Sequence, residues 1–288
     1  MSLRDTALAL LLVLIFGANF IAMKYALIEL PPILLVSLRF MLVLLPAVFF
    51  IPRPRASWAA VAAVGFFIGT VQVGLLLWAL QLQVITAGLA ALMLQLQVPV
   101  TIALSVLIFC ESIRGLQLFG ILLAACGFLL FLYQEEGSVT PLGATLVGLA
   151  AVSWACGNLF IKTLKETAAL SLAVWSSFVP ALFMLGLSLL VERPPLVLLA
   201  QGLSLRGWLS LLFLAYAATL LGYSLWNFLV ERYQAATVMP FALLIPPIGM
   251  VLGAFAFQET LTLLEGCGTL VVMLGLVFCL VRFRKKSP

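Results

Sequence analysis

The sequence contains no histidine, only ten acidic residues, and charged side chains at just 9% of positions. A soluble domain carries about 25% charge, so a water-facing surface cannot be assembled from this composition. Without histidine, and with no HExxH or GxSxG pattern in the chain, the usual nucleophile–base pairs and zinc sites have no candidates, and the chain is not read as an enzyme. No GxxxxGK[ST] loop is present, which removes an ATP site of the P-loop kind. The five cysteines, Cys110, Cys126, Cys156, Cys267 and Cys279, show no CxxC spacing and lie mostly in apolar runs; they predict neither a disulfide framework nor a metal site. No cofactor is expected.

What is abundant is apolar surface: 65% of residues are hydrophobic and the mean hydropathy is +1.28. A spanning helix needs roughly 20 apolar residues, so the chain holds about ten spans with short connections and no soluble domain. Apolar runs between Pro, Gly and charge clusters predict spans near Thr6 to Ile28, Ile33 to Ile51, Trp58 to Leu80, Thr86 to Phe109 and Leu116 to Tyr133. Five more fall near Leu142 to Thr163, Ser171 to Val191, Trp208 to Leu229, Thr237 to Phe257 and Leu264 to Phe283. The expected fold class is all-α integral membrane, and the first run reads as a retained helix rather than a cleaved signal.

The formal charge of +5 is not gathered on one face, so nucleic acid is not an expected partner. With the N-terminus inside, Arg4, Arg53, Arg55, Arg114, Lys162, Lys165, Arg232, Arg282, Arg284, Lys285 and Lys286 fall on the cytoplasmic side. Lys24, Arg39, Arg193 and Arg206 fall opposite. Because Lys and Arg bias sets orientation, both termini are expected in the cytoplasm.

The chain also resembles itself. A shift of 148 residues puts Gly74 on Gly222, Trp78 on Trp226, Pro99 on Pro247, Phe109 on Phe257, Glu111 on Glu259, Gly120 on Gly268 and Gly127 on Gly275. A shift of 138 puts Phe16 on Trp154 and Lys24 on Lys162. Two repeats follow, residues 1–135 and 136–288. Each holds five spans, an odd number, so the second enters the membrane from the opposite side. Inverted repeats suit alternating access around a central site.

Polar groups within the spans are the candidate site, since a Lys, Arg or Asp at a helix centre is disfavoured by roughly 2.5–3.5 kcal/mol. Arg39 lies inside the second span; it either meets a substrate carboxylate through a two-pronged contact or is structural, in an ion pair with Glu29 or Glu259 or bonded to helix-end carbonyls on the outer side. Lys24 and Lys162, near opposite faces, are either snorkelling side chains or gate charges. Glu111 and Glu259 suit helix capping. Asn19, Gln72, Gln95, Gln97, Asn158 and Asn227 bind a zwitterion's two charges or join helices. Gln95, which shares a helix face with Pro99, is favoured over Gln97. Trp154, near mid-membrane, and Phe16 at matching depth are expected to flank the cavity. Trp78, Tyr223 and Trp226 either add aromatic walls or belong to interfacial belts. The GxxxG spacings Gly65 to Gly69 and Gly249 to Gly253 predict close helix packing. No histidine and no mid-membrane carboxylate marks a proton relay.

These residues carry a family resemblance over essentially the whole chain. Phe16-Gly17-Ala18-Asn19-Phe20 with Lys24, Leu30-Pro31-Pro32, Leu38-Arg39-Phe40-Met41, Pro52-Arg53-Pro54, Ala87-Gly88-Leu89-Ala90, Gln95-Leu96-Gln97 and Glu111 carry it in the first half. Ser153-Trp154-Ala155-Cys156-Gly157-Asn158, Trp175-Ser176, Pro240 and Pro246-Pro247 carry it in the second. The chain resembles the EamA branch of the drug/metabolite transporter superfamily, departing from its pattern at Phe16, where a Trp is usual. The Ser-Trp-Ala-Cys-Gly-Asn run and the paired glutamines look most like those of bacterial O-acetylserine/cysteine exporters. The resemblance implies export of small neutral amino acids and thiol metabolites across the inner membrane. Other cargoes of the superfamily, such as aromatic amino acids or drug-like cations, are the alternative, with a membrane scaffold subunit behind them. The expected partners are a small-molecule substrate and membrane lipids, and a monomer is compatible with this reading.

Overall fold

The computed structural model describes residues 1–110, 112–132, 139–164, 168–193, 202–233, 238, 241–260 and 262–280. Among them the backbone is helical, with a single isolated bridge between Ile85 and Val139. Seven helices are long and apolar enough to cross a membrane, and Pro32–Ala47, Gly115–Phe131 and Ile245–Phe257 are shorter apolar helices. In chain order the helices are α1 (Leu3–Ala26), α2 (Pro32–Ala47), α3 (Trp58–Gln81), α4 (Ala87–Phe109), α5 (Gly115–Leu132), α6 (Pro141–Thr163) and α7 (Leu170–Val191). They continue as α8, which opens with Leu205–Leu212 and closes with Gly222–Arg232, then α9 (Ile245–Phe257) and α10 (Leu263–Leu280).

Local sequence sets the starts and interruptions. Ser2, Thr86, Thr140 and Ser204 each accept a hydrogen bond from the amide three residues on, of Asp5, Leu89, Gly143 and Gly207, so one orphan donor per helix start is satisfied. Pro32 and Pro141 stand at the first helical position, where no amide is missed. Pro99 has no N–H to return to the carbonyl of Gln95, and the helix pauses at Gln95 and Leu96 before resuming as Gln97–Phe109. Pro247 follows the pause at Leu243 and Leu244 in the same way. Each of two helices also widens into a π-helical stretch, Gly65–Gln72 within α3 and Phe213–Leu221 within α8. The helices ending at Phe109 and Phe257 are both closed by a left-handed residue, Cys110 and Gln258.

Packing joins helices from the two halves of the chain. α5 lies along α10, α2 along the Phe178–Val191 part of α7, α1 along α9, and the Gln97–Phe109 part of α4 along α6. α3 lies on α6 and on α7, while α8 lies on α1 and on α2. Glycine makes the closest approaches possible. A Cβ on Gly65 would sit 2.1 Å from the Ser176 carbonyl oxygen, and one on Gly275 2.5 Å from the Ala124 amide nitrogen. The main core draws on α1 to α8 and on α10, and includes Leu35, Leu76, Leu92, Val147, Leu214 and Val272.

Candidate functional site

Arg39 sits two turns into α2, about 10 Å from its start at 1.5 Å per residue, and is 7% exposed. Its Nη2 and Nε donate to Thr219 Oγ1 at 3.1 and 3.3 Å. Thr219 is available because the π-helical stretch carries its hydroxyl to the Leu214 carbonyl, five residues back, at 2.9 Å. That leaves the hydroxyl oxygen facing Arg39. Among the described residues Nη1 has no partner and no carboxylate pairs with the guanidinium. Hydrogen bonds to a charge contribute about 1.5–3 kcal/mol each, so Thr219 offsets much of the burial cost but supplies no opposite charge.

The partners considered for Arg39 are engaged elsewhere. Glu29 accepts from the Ser204 amide at 2.8 Å and from its hydroxyl, and these bonds hold its carboxyl below the usual range. Glu259 pairs with Lys24 at 2.8 Å. The same carboxylate accepts from the amides of Ala87 and Gly88, at 3.0 and 3.2 Å, and so caps α4 rather than the helix that follows it. Lys24 also lies 4.3 Å from the Phe257 ring centroid. At the opposite end of α4, Lys162 reaches Ser105 at 3.4 Å and lies 5.0 Å from the Phe109 ring centroid. Glu111, Pro240 and the side chain of Asn227 lie outside the described residues.

Phe16 meets Tyr223 edge-on, with centroids 6.4 Å apart, and its ring fills the space over Gly222. Asn19, one turn further along α1, donates to Met23 Sδ at 3.8 Å, while its buried Oδ1 has no partner. A second polar group lies between α4 and α6, where Asn158 donates to Gln97 Oε1 at 2.8 Å and to Thr101 Oγ1 at 3.2 Å. Gln95 instead donates to the Ala242 carbonyl at 3.2 Å. Trp154 packs on the main core, whereas Phe16 packs with Leu225 and Trp226 in a separate apolar cluster. Gln72 is 5% exposed, within the π-helical stretch of α3. Trp78 is 51% exposed and faces outward. An open groove of about 470 Å³ between α2, α7 and α8 is walled by Pro46, Ala47, Phe50, Tyr216, Leu220 and Ser224.

Sequence reasoning passed over Thr219, Thr101 and Ser105. Thr101 and Ser105 follow Gln97 at four-residue steps, as Asn158 and Lys162 follow Trp154, and that matched spacing was a readable signal of facing polar stripes. Thr219 gave no such signal, because its orientation depends on the π-helical stretch.

A bundle of long apolar helices with polar side chains buried inside it is the construction of an integral membrane protein. The EamA-like transporter family matches residues 6–133 and 141–281, and the chain belongs to that family. It is 39% identical over 99% of its length to a probable amino-acid metabolite efflux pump of Salmonella typhimurium, covering 97% of that protein. It is 38% identical over 96% of its length to a probable amino-acid metabolite efflux pump of Escherichia coli, covering 94% of it. A solved structure with 15% identity and a TM-score of 0.65 covers 96% of this chain and 95% of its own, and shares the fold. The protein is therefore a multi-pass membrane metabolite exporter, not an enzyme. In a bacterium an α-helical protein of this kind resides in the inner membrane, since outer-membrane proteins are β-barrels.

Proposed function

We propose that the protein exports small neutral amino acids such as cysteine and O-acetylserine by alternating access between two inverted five-helix repeats, residues 1–135 and 136–288. On this reading the seven long helices and the three shorter ones together make ten spans, with both termini cytoplasmic. The observation that carries the reading is the matched irregularity of the two halves. The π-helical stretches begin at Gly65 and Phe213, and the left-handed residues stand at Cys110 and Gln258, both 148 residues apart. Exchanging the halves also carries the packing onto itself: α1 on α9 becomes α6 on α4, and α3 on α6 becomes α8 on α1. A structure with this exchange symmetry has two related states available, each half adopting the other's arrangement.

The site spans that exchange. Arg39, Phe16, Asn19 and Tyr223 form one part; Asn158 and Trp154 form another, with Gln72 and Gln95 on the helices around them. Lys24 with Glu259 closes one end, and Lys162 stands at the other. The amino-acid cargo is supported by the names of the two efflux-pump relatives. Proteoliposomes carrying the purified protein test it. Saturable flux of labelled cysteine or O-acetylserine, competed by the unlabelled compound, is expected. Flux of bulky aromatic cations with no competition by either amino acid would overturn it.

A further inference from the structure

The groove between α2, α7 and α8 is apolar along its length and basic at one end. Tyr216, Leu220 and Ser224 line it on α8, so it runs about 12 Å along that helix at 1.5 Å per residue. At the end of α2 a second cavity of about 410 Å³ shares Phe50 and Ile51 with the groove and adds Arg53 and Trp175. This end is tied to α7: Trp175 Nε1 donates to the Ile51 carbonyl at 3.2 Å, and Ser171 Oγ to the Pro52 carbonyl at 2.6 Å. Trp175 also meets Trp58 edge-on, with centroids 5.6 Å apart, and such rings settle at headgroup level. Arg53 and Arg55 are exposed. Arg232, at the end of α8, pairs with Asp5 at 3.4 Å, whereas among the described residues neither Arg53 nor Arg55 has a carboxylate partner.

We infer that the groove and the adjoining cavity hold one anionic phospholipid, with an acyl chain along α8 and its phosphate at Arg53 and Arg55. An apolar wall open to the bilayer suits an acyl chain, which is as apolar as the side chains lining it. A headgroup of net negative charge supplies what two arginines without carboxylates lack, and a zwitterionic headgroup does not. This goes beyond the exporter reading, from which it takes the cytoplasmic leaflet alone. Tyr216 and Leu220 belong to the π-helical stretch that presents Thr219 to Arg39, so the chain packs on the element that positions the buried guanidinium.

The test is retention of added lipid by the purified full chain in neutral detergent, counted by native mass spectrometry. Phosphatidylglycerol and phosphatidylcholine of the same chain length are offered separately, each with and without inorganic phosphate. Two basic side chains acting on an anionic headgroup correspond to about 30-fold in affinity, so wild type should hold one phosphatidylglycerol about 30-fold more tightly than phosphatidylcholine. Joint Arg53→Gln and Arg55→Gln substitution should abolish that preference, and Arg206→Gln, which removes a charge at the other end of α8, should keep it. Ala47→Trp fills the groove and should weaken retention of both lipids. Equal retention of the two lipids by wild type would overturn the inference, as would a preference that survives the double substitution or is lost equally in Arg206→Gln. Retention unaltered by Ala47→Trp would remove the acyl chain from the groove, and displacement by millimolar phosphate would make this a free-phosphate site; either result overturns the lipid. Neither flux nor orientation enters this measurement, so its failure leaves the exporter reading standing, and failure of cysteine flux leaves the lipid site standing.

Discussion

Glu259 has two structural tasks, and their separation predicts unequal mutants. It pairs with Lys24 and caps α4 through two backbone amides. Glu259→Ala leaves Lys24 without its carboxylate and two amides without an acceptor, whereas Lys24→Ala removes the pair and the contact with the Phe257 ring but leaves both amides capped. The Lys24 side chain is 26% exposed, so its charge has solvent nearby. Melting in detergent should therefore fall further for Glu259→Ala, by about 1–3 kcal/mol more; equal losses would show that the cap contributes nothing. Glu29 predicts a pH dependence. Its carboxyl is held below 4.5 by the Ser204 hydroxyl and amide, so its contribution is complete above that pH and is lost as the pH falls through the depressed value. Ser204→Ala should flatten this acid limb of a stability–pH profile, and an unchanged limb would assign it to another carboxylate. At this scale the buried charge of Arg39 was legible, because a lone Arg in an apolar run stands out. Its partner Thr219 was not, because a Thr among apolar residues has no direction until the backbone gives it one.

Among elements, the π-helical stretches are the informative departures. A helix of 3.6 residues per turn would carry Thr219 to a different face. Deleting Ala217 from the Phe213–Leu221 stretch should restore regular winding, rotate the flanking segments by about 100° relative to each other, and separate Thr219 from Arg39. Flux should be lost while the protein still inserts; flux retained would mean that the wide turn does not set the site. Gly65 offers a sharper packing test. Gly65→Leu must displace the Ser176 backbone from α3, since a Cβ alone meets the Ser176 carbonyl oxygen at 2.1 Å. Expression and melting should both drop, and a variant of wild-type stability would contradict the close packing. The Gly spacing made this approach readable in advance. The pause at Gln95 and Leu96 was not foreseen, and it matters: a face shared by Gln95 and Pro99 presumes an unbroken helix, whereas the pause sends Gln95 to Ala242 and Gln97 to Asn158.

For the whole molecule, the question is whether the halves exchange roles. The C-terminal ends of α1 and α9 meet the start of α4, joined by Lys24 and Glu259. The C-terminal ends of α4 and α6 meet one α4 length away, where Lys162 touches Ser105. Under alternating access these are the two gates, and when one is closed the other opens. The recurrence of Pro, Trp, Glu and Gly at one spacing was legible in the sequence. Which helices pack together was not, since apolar faces carry little information about their neighbours. The direct measurement places spin-label pairs at exposed positions of each gate, Ile28 with Phe255 and Leu107 with Ile161, and reads both distances in liposomes with and without a transported amino acid. Under alternating access one distance distribution lengthens as the other shortens. Two distances that stay fixed, or that move together, would contradict it.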